Sequence, residues 1–382
     1  MKVLHVIKLA GLGGAEVYLS KILPELNKAG VQCALLGMIN PAHREGAAKV
    51  TNLIRSLGVE VIELDAPKDF SWSLYKKIAQ IIQEGKYDLV NTHLIHSELY
   101  TSMVKKFFIR DLILINTRHG YYPDYQVRHG FEPIFNIKDK FWWLYKFNSG
   151  SFNRTISISH GLKNLIVAMK LAKEKDIDVI HYGFDYDDVT YDSNTELYKR
   201  GNPQINIIGR LDPVKGHTFA FQALPKIIQK FPNVKLTIIG SGGIEADLKK
   251  EVAERGLENN VEFMGFQTKI HDFLKNSDVT LIPSFAEGFC AVVLESNFNH
   301  TPVVCFDVPA LNEIVDNEQT GVVVPKFDTD ILADKIIKIL DNKEYSKKLT
   351  DNAYHKLKTY FTMDRMLKDT IHTYEQVLSY SK

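Results

Sequence analysis

The chain opens with MKVLHVIKLAGLGGAEVYLSKILPELNKAG, residues 1–30, and two periodicities meet inside this stretch. Lys2–Ile7 is a short apolar run of the kind that forms a buried strand. Gly11-Leu12-Gly13-Gly14-Ala15-Glu16 interrupts it. Beyond the glycines, Ala15, Leu19, Ile22 and Leu26 recur at intervals of four, three and four, which places them on one helix face. Gly30 ends that helix in the usual C-terminal manner. Strand, glycine-rich turn and amphipathic helix together start a βαβ unit and predict a parallel sheet.

The same rhythm runs outward from there. Further strands are predicted at Val31–Met38, Val59–Leu64, Asp88–His93, Leu112–Thr117, Arg154–Ile158 and Asp178–His181. Tyr186–Gln204 breaks the pattern, being rich in Asp, Asn, Ser and Thr, and reads as an interdomain linker. Alternation resumes at Ile205–Ile208, Lys235–Ile239, Val261–Met264, Val279–Ile282, Val303–Phe306 and Val322–Val324. From Thr329 onward the pattern is helical. Two doubly wound α/β domains with a helical tail are therefore expected. Pro24 and Pro225 fall inside helix-like segments, where proline removes a hydrogen bond, so either those helices kink or they end early.

Composition narrows the function classes. A length of 382 residues exceeds one ordinary core and favours two domains. Apolar residues at 45% and charged residues at 24% fit a globular protein, and a net charge of +1 gives no argument for nucleic acid. The N-terminus does not read as a signal peptide, and no run of about 18 apolar residues suggests a membrane span. Cys33, Cys290 and Cys305 form no CxxC pair, so reduced thiols and a cytoplasmic setting are expected.

Three motifs carry chemistry. The glycine turn before Glu16 permits close approach of a ligand to a helix N-terminus. It lacks the GxGxxG spacing, and no acidic residue clearly ends the second strand, which disfavours a nicotinamide cofactor. After the first strand of the second half comes Gly209-Arg210-Leu211-Asp212-Pro213-Val214-Lys215-Gly216. Two cations at the carboxyl end of a parallel strand suit a diphosphate, since Arg forks two oxygens and Lys adds a compact charge. A solvated basic loop is the bland alternative. After Val279–Ile282 comes Pro283-Ser284-Phe285-Ala286-Glu287-Gly288-Phe289-Cys290-Ala291-Val292-Val293-Leu294-Glu295. Its spacing puts Glu287 in the loop and Glu295 on the following helix, with the N–H groups of Phe289, Cys290 and Ala291 turned toward a cleft. Carboxylates accept well from vicinal sugar hydroxyls.

With the Arg210–Lys215 pair upstream, this Glu-x7-Glu element resembles glycosyltransferase family 4, of the GT-B architecture. The resemblance extends over nearly the whole chain, through His119, Ser159, Gly183-Phe184-Asp185 and Glu313. It implies an α/β fold of two Rossmann-like domains facing a central cleft: an acceptor-side domain at 1–185, a linker at 186–204 and a donor domain at 205–360. A helix at 361–382 is expected to pack back toward the first domain. The resemblance also implies a retaining enzyme that moves a hexose or N-acetylhexosamine from a nucleotide diphosphate-sugar to a glycan, lipid-linked or small-molecule acceptor in cell-surface polysaccharide synthesis. Arg210 and Lys215 would bind the diphosphate. Glu295 would hold the ribose, and Glu287 the hexose, helped by Gly288 and by N–H groups from Phe289 to Ala291. Gly13 and Gly14 would let the first domain approach the phosphates. Gly240, Gly265 and Phe266 would complete the donor site, and His119 would stand near the reacting centre. Cys290 stands where glycine is common, and Ser296-Asn297-Phe298 replaces the usual small apolar residues.

No Asp-x-Asp metal signature stands out, so no metal or other cofactor is expected and the cations would neutralise the leaving group. Glu287 and Glu295 could be read as a glycosidase pair, but carboxylates on one loop–helix unit lie on one side of a sugar rather than flanking its bond. A nucleotide-sugar 2-epimerase, a sugar phosphorylase and a non-catalytic nucleotide-sugar-binding subunit are the alternatives. His119 either holds a substrate group or caps a strand, and His93 and His96 either reach the acceptor or serve the structure. Phe141-Trp142-Trp143-Leu144-Tyr145, flanked by Lys138, Lys140 and Lys146, reads either as the buried face of a crossover helix or as an interfacial helix at the inner face of a membrane.

Overall fold

Strand β1 (Lys2–Leu9) runs two residues past its expected end and lies centrally in an all-parallel sheet. In the computed structural model, which describes residues 1–67, 71–121, 140–186, 189 and 202–379, β1 pairs on one side with β2 (Gln32–Ile39) and on the other with β4 (Leu89–His93). The full order is β3-β2-β1-β4-β5-β6-β7, with β3 at Glu60–Asp65, β5 at Leu114–Arg118, β6 at Arg154–Ser157 and β7 at Ile177–Val179. Leu112 and Ile113, expected in β5, precede it, because Leu112 closes a turn by donating its N–H to the Ile109 carbonyl. Most of Tyr186–Gln204 lies outside the described residues, as do Tyr122, Pro123, Asp124, Tyr125, Lys138 and the side chains of Lys140 and Phe141.

Parallel strands covered on both faces need apolar side chains pointing both ways. β1 meets this by alternation. Val3, Ile7 and Leu9 face the helices Gly14–Lys28 and Arg44–Ser56, while Leu4 and Val6 face Trp72–Gly85 and Ile95–Phe107. The first face is completed from the far end of the chain, where the helix Met363–Ser379 contributes Met366, Tyr374 and Val377. Tyr374 is fully buried, and its hydroxyl accepts from Asn91 Nδ2 at 3.0 Å.

A second parallel sheet repeats the plan with strands β8 (Gln204–Ile208), β9 (Lys235–Ile239), β10 (Val261–Gly265), β11 (Val279–Ile282), β12 (Val303–Phe306) and β13 (Val322–Val324). Its order is β10-β9-β8-β11-β12-β13. The chain thus forms two compact units, which meet in sequence between Tyr182 and Gly183 and between Thr362 and Met363. In each sheet the order reverses beside the first strand, between β1 and β4 and between β8 and β11. Open α/β sheets bind ligands outside the carboxyl ends at such points. The helices Gly14–Lys28 and His217–Lys230 both continue through their prolines, Pro24 and Pro225. Among the described residues, no helix is long and apolar enough to cross a membrane.

The tryptophans, Trp72, Trp142 and Trp143, all lie in the first unit, so their fluorescence reports its unfolding. Truncating a buried aromatic costs about 3–5 kcal/mol. Tyr374→Ala is therefore expected to lower the urea midpoint of the fluorescence transition sharply. Tyr374→Phe, which strands the Asn91 amide, should cost about 1–3 kcal/mol. A Tyr374→Ala protein as stable as the parent would remove the last helix from this core.

Candidate functional site

In the second unit the loops leaving β8 and β11 are locked together at the reversal point. Asp212 opens a short 3-10 turn over Pro213–Lys215, its side chain accepting from Val214 N–H at 3.3 Å. Gly216 follows at φ +69°, and a Cβ there would sit 2.0 Å from the Pro283 carbonyl oxygen. Phe285 N–H donates to the Val214 carbonyl at 3.0 Å and ties the two loops by backbone. The neighbouring strand ends are as close: Gly240 has φ +145°, and a Cβ there would lie 1.9 Å from the Gly209 carbonyl oxygen.

This junction places Lys215 against Glu287, with Nζ donating to Oε1 at 2.7 Å. Their side chains are 23% and 7% exposed, so the pair is largely withdrawn from water. Burial pulls the Lys215 ammonium's pKa down, but the adjoining Glu287 carboxylate outweighs it and holds the group above its ordinary range. Arg210 is close enough to oppose that rise and is itself mostly exposed, with Asp212 3.5 Å away. Cys290 caps the helix Ala291–Phe298, and burial, then Glu287, push its thiol up to about 12, so it stays protonated. Glu295, one turn into that helix and half-buried, acts on the same thiol. Arg210, Lys215, Glu287, Cys290 and Glu295 are thus gathered at one end of the second sheet. Gly265 ends β10 and its carbonyl accepts from Gly240 N–H at 2.8 Å. Phe266 beside it is exposed, Phe289 is buried near Phe361, and Gly288 is half-buried. His217, which the sequence did not single out, lies 2% exposed next to Gly216, and among the described residues neither ring nitrogen has a hydrogen-bond partner. Burial lowers its pKa to about 4 and Lys215 adds to this, so the ring is neutral.

The remaining candidates lie in the first unit. Gly13 caps the first helix, with its N–H bonded to Glu16 Oε2 at 3.1 Å, and Gly14 is exposed with open space beside its Cα. His119 follows β5 and belongs to a file of rings. His5 Nδ1 lies 3.0 Å from His93 Nε2, His93 Nδ1 lies 2.9 Å from His119 Nε2, and His119 Nδ1 lies 2.7 Å from the Tyr182 hydroxyl. His5 Nε2 is buried without a partner among the described residues. An orphaned N–H costs more to bury than a bare ring nitrogen, so the network assigns the proton to Nδ1 of each ring. Each imidazole then donates toward Tyr182. Both nitrogens of His119 are engaged within this file, and His93 serves it as well. His5 and Tyr182 were not among the sequence candidates; the only cue was a histidine in an otherwise apolar strand. The chain leaves β4 through Leu94 at φ +68°, ψ 153°, a conformation that costs a non-glycine residue about 1–3 kcal/mol. Beside His119, Arg118 Nη2 donates to Glu98 Oε2 at 2.9 Å, and both side chains are buried.

Two outcomes test this geometry. Gly216→Ala meets backbone at a positive φ, so it should cost well over about 1 kcal/mol and separate the two loops. Near-parental stability with unchanged chemistry would refute the junction. Burial lowers the pKa of His5 and of His119 to about 3, against 6.5 unfolded. The folded rings refuse protons that the unfolded chain accepts. Their contribution is therefore complete above pH 6.5 and is lost as pH falls toward 3, by on the order of 1–2 kcal/mol at pH 5 for the buried His5. His5→Asn should flatten the pH dependence of the tryptophan-detected urea midpoint; equal slopes in both proteins would contradict the buried neutral file.

Known proteins share both halves. The family model described as Glycosyltransferase Family 4 matches residues 12–188, and that described as Glycosyl transferases group 1 matches residues 190–356. An uncharacterized glycosyltransferase of Methanocaldococcus jannaschii is 28% identical over 233 residues, 58% of this chain and 60% of that relative's own length. The UDP-Gal:alpha-D-GlcNAc-diphosphoundecaprenol alpha-1,3-galactosyltransferase of Escherichia coli is 24% identical over 281 residues, 71% of this chain and 70% of its own. Among solved structures, Anabaena HepE in complex with UDP-glucose superimposes with a TM-score of 0.82 at 19% identity, covering 98% of this chain and 100% of that one, which is a likeness of fold. The two matches, taken with the paired parallel sheets, make the chain a member of glycosyltransferase family 4 with the GT-B fold.

Proposed function

We propose that this glycosyltransferase moves a hexosyl or N-acetylhexosaminyl group from a nucleoside diphosphate-sugar to a glycan or lipid-linked acceptor, with retention at the anomeric carbon. The observation that carries the reading is the Lys215–Glu287 pair at the reversal point of the second sheet, with Arg210 beside it. A lysine ammonium has three N–H donors, of which Glu287 takes one, leaving two for phosphate oxygens. Arg210 brings a planar fork suited to the second phosphate. Glu287 keeps its Oε2 for hexose hydroxyls, and Glu295 is assigned the ribose. The donor named for the E. coli relative and the ligand of the Anabaena structure both support a uridine diphosphate-sugar as the first to try. Cys33, Cys290 and Cys305 are buried and unpaired, which fits a reducing compartment.

In the proposed step the bond from the anomeric carbon to the diphosphate breaks, and a bond to an acceptor oxygen forms on the same face. The acceptor proton leaves with the departing phosphate oxygen. Arg210 and Lys215 stabilise the charge that develops there, which is an electrostatic task and needs no metal. The histidine file of the first unit is assigned a positioning role, because its rings are neutral and bonded to one another.

Thermal melting with uridine, guanosine and adenosine diphosphate-sugars tests donor binding. The matching donor at a hundred times its Kd should stabilise the fold by about 2.7 kcal/mol. Lys215→Ala should abolish that shift and lower kcat/KM by about a hundredfold or more. Glu287→Gln should keep nucleotide binding and lose hexose discrimination. If no donor shifts the melt, or if Lys215→Ala leaves the shift intact, the assignment is wrong; an inverted product by NMR would overturn retention alone.

A further inference from the structure

The aromatic run Phe141–Tyr145 divides by helix face. Within the helix Lys140–Ser149, Tyr145 and Asn148 are buried. Tyr145 stacks on Tyr121 at 4.9 Å and lies under the Arg118 guanidinium at 4.2 Å. Trp142 is half-buried and donates to the Met169 carbonyl. Trp143 and Phe147, one turn apart on the opposite side, are 56% and 50% exposed. Two further aromatics join them. Trp72, 58% exposed, begins the helix Trp72–Gly85, and its ring packs edge-on at 5.1 Å against Phe107, 57% exposed, at the end of Ile95–Phe107. Lys106 links the two halves, with Nζ 3.4 Å above the Phe147 ring and donating to the Phe147 carbonyl. Four of the largest exposed apolar side chains of the first unit, from three helices, thus form one surface.

Among the described residues, the charges on the helices beside these rings are mainly lysines, and the exposed Arg110 and Asp111 that follow Phe107 offset each other. Lys76 is exposed one turn after Trp72, the half-buried Lys105 and Lys106 precede Phe107, and Lys146 sits between Trp143 and Phe147 in sequence. The nearest carboxylate on Ile95–Phe107, Glu98, is buried and paired with Arg118, and Lys140–Ser149 carries no acidic residue. Burying large aromatic rings releases the hydrophobic free energy that water contact withholds. Lysines around them favour a partner that is apolar within and negatively charged at its surface. Exposed aromatics rimmed by lysine match the boundary between acyl chains and anionic headgroups. A second copy of this chain would set lysine against lysine.

We propose that this face of the first unit docks on an anionic lipid bilayer, with Trp72, Phe107, Trp143 and Phe147 entering the headgroup boundary and Lys76, Lys106 and Lys146 meeting lipid phosphates. The inference is independent of the sugar-transfer reading, because binding needs neither donor nor acceptor.

The full chain is titrated with vesicles of pure phosphatidylcholine and of phosphatidylcholine mixed with phosphatidylglycerol, at low and high salt. Two of the three tryptophans lie in the patch, so binding reads as a blue shift in fluorescence as well as by sedimentation. The protein should bind the anionic vesicles, bind neutral ones at least about tenfold more weakly, and be released by salt. The Trp143→Ala, Phe147→Ala double variant and the Lys76→Glu, Lys146→Glu double variant should each weaken binding by about tenfold or more. The second pair replaces exposed lysines alone and keeps the test valid if the first perturbs folding. No binding, equal binding to both vesicles, or unchanged binding by the charge-reversed variant would overturn the proposal. A patch-dependent self-association without vesicles would overturn it too, by giving the face to a second copy.

Discussion

The carboxyl end of the second sheet depends on one steric condition: the loops after β8 and β11 must touch through backbone. Gly216 has no Cβ to collide with the Pro283 carbonyl, and Gly240 none to collide with Gly209. These contacts, with the Phe285-to-Val214 hydrogen bond, fix two loops that are about seventy residues apart in sequence. Only then can a lysine from one loop and a glutamate from the other meet at hydrogen-bond distance. The ion pair follows from the junction. An exposed pair of the same kind would contribute roughly 0–1 kcal/mol and could not hold the loops by itself.

The two units share a topology and fill its reversal point differently. A parallel sheet covered on both faces leaves polar side chains few places except the carboxyl ends of its strands. In the second unit that place holds fixed charges, Arg210, Lys215 and Glu287, which suit an anionic ligand. In the first it holds His93, His119 and Tyr182, with His5 reaching His93 from the middle of β1, all neutral in their buried setting, and beside them an internally compensated Arg118–Glu98 pair. Neutral rings linked in series tolerate burial because each link pairs one group's donor with the next group's acceptor. The strained Leu94 bends the chain just after His93, and the file runs through that point.

Most strands were legible because buried parallel strands are β-branched runs bounded by helix periodicity; β9, β11, β12 and β13 coincide with the expected limits. That Arg210, Lys215, Glu287 and Glu295 gather at one end of the second sheet was legible because their spacing within one loop or one loop–helix unit carries the signal. The histidine file was not, because its members lie 26 to 88 residues apart and meet only when β1, β4 and β5 pair. Tyr374 completes a core begun at Val3, and no local pattern states so distant a contact. The aromatic run was ambiguous for a different reason: adjacent residues of a helix point to different sides, so a single continuous string contained both a buried face and an exposed one.

Charge balance gives the candidate site of the second unit its final constraint. Glu287 is more deeply buried than Lys215, and a buried carboxylate without a partner would be costly. Lys215 therefore neutralises Glu287 from within the fold itself. On the proposed reading, a diphosphate brings negative charge that Arg210, two-thirds exposed and with Asp212 3.5 Å away, is available to meet. Lys215 can then bridge carboxylate and phosphate without abandoning either, since its three donors diverge from one centre. An arginine at 215, with a planar fork committed to one acceptor plane, would not divide itself in that way. On that reading, the choice of lysine next to the buried glutamate and arginine at the open edge follows from what each cation would do before and after a diphosphate binds.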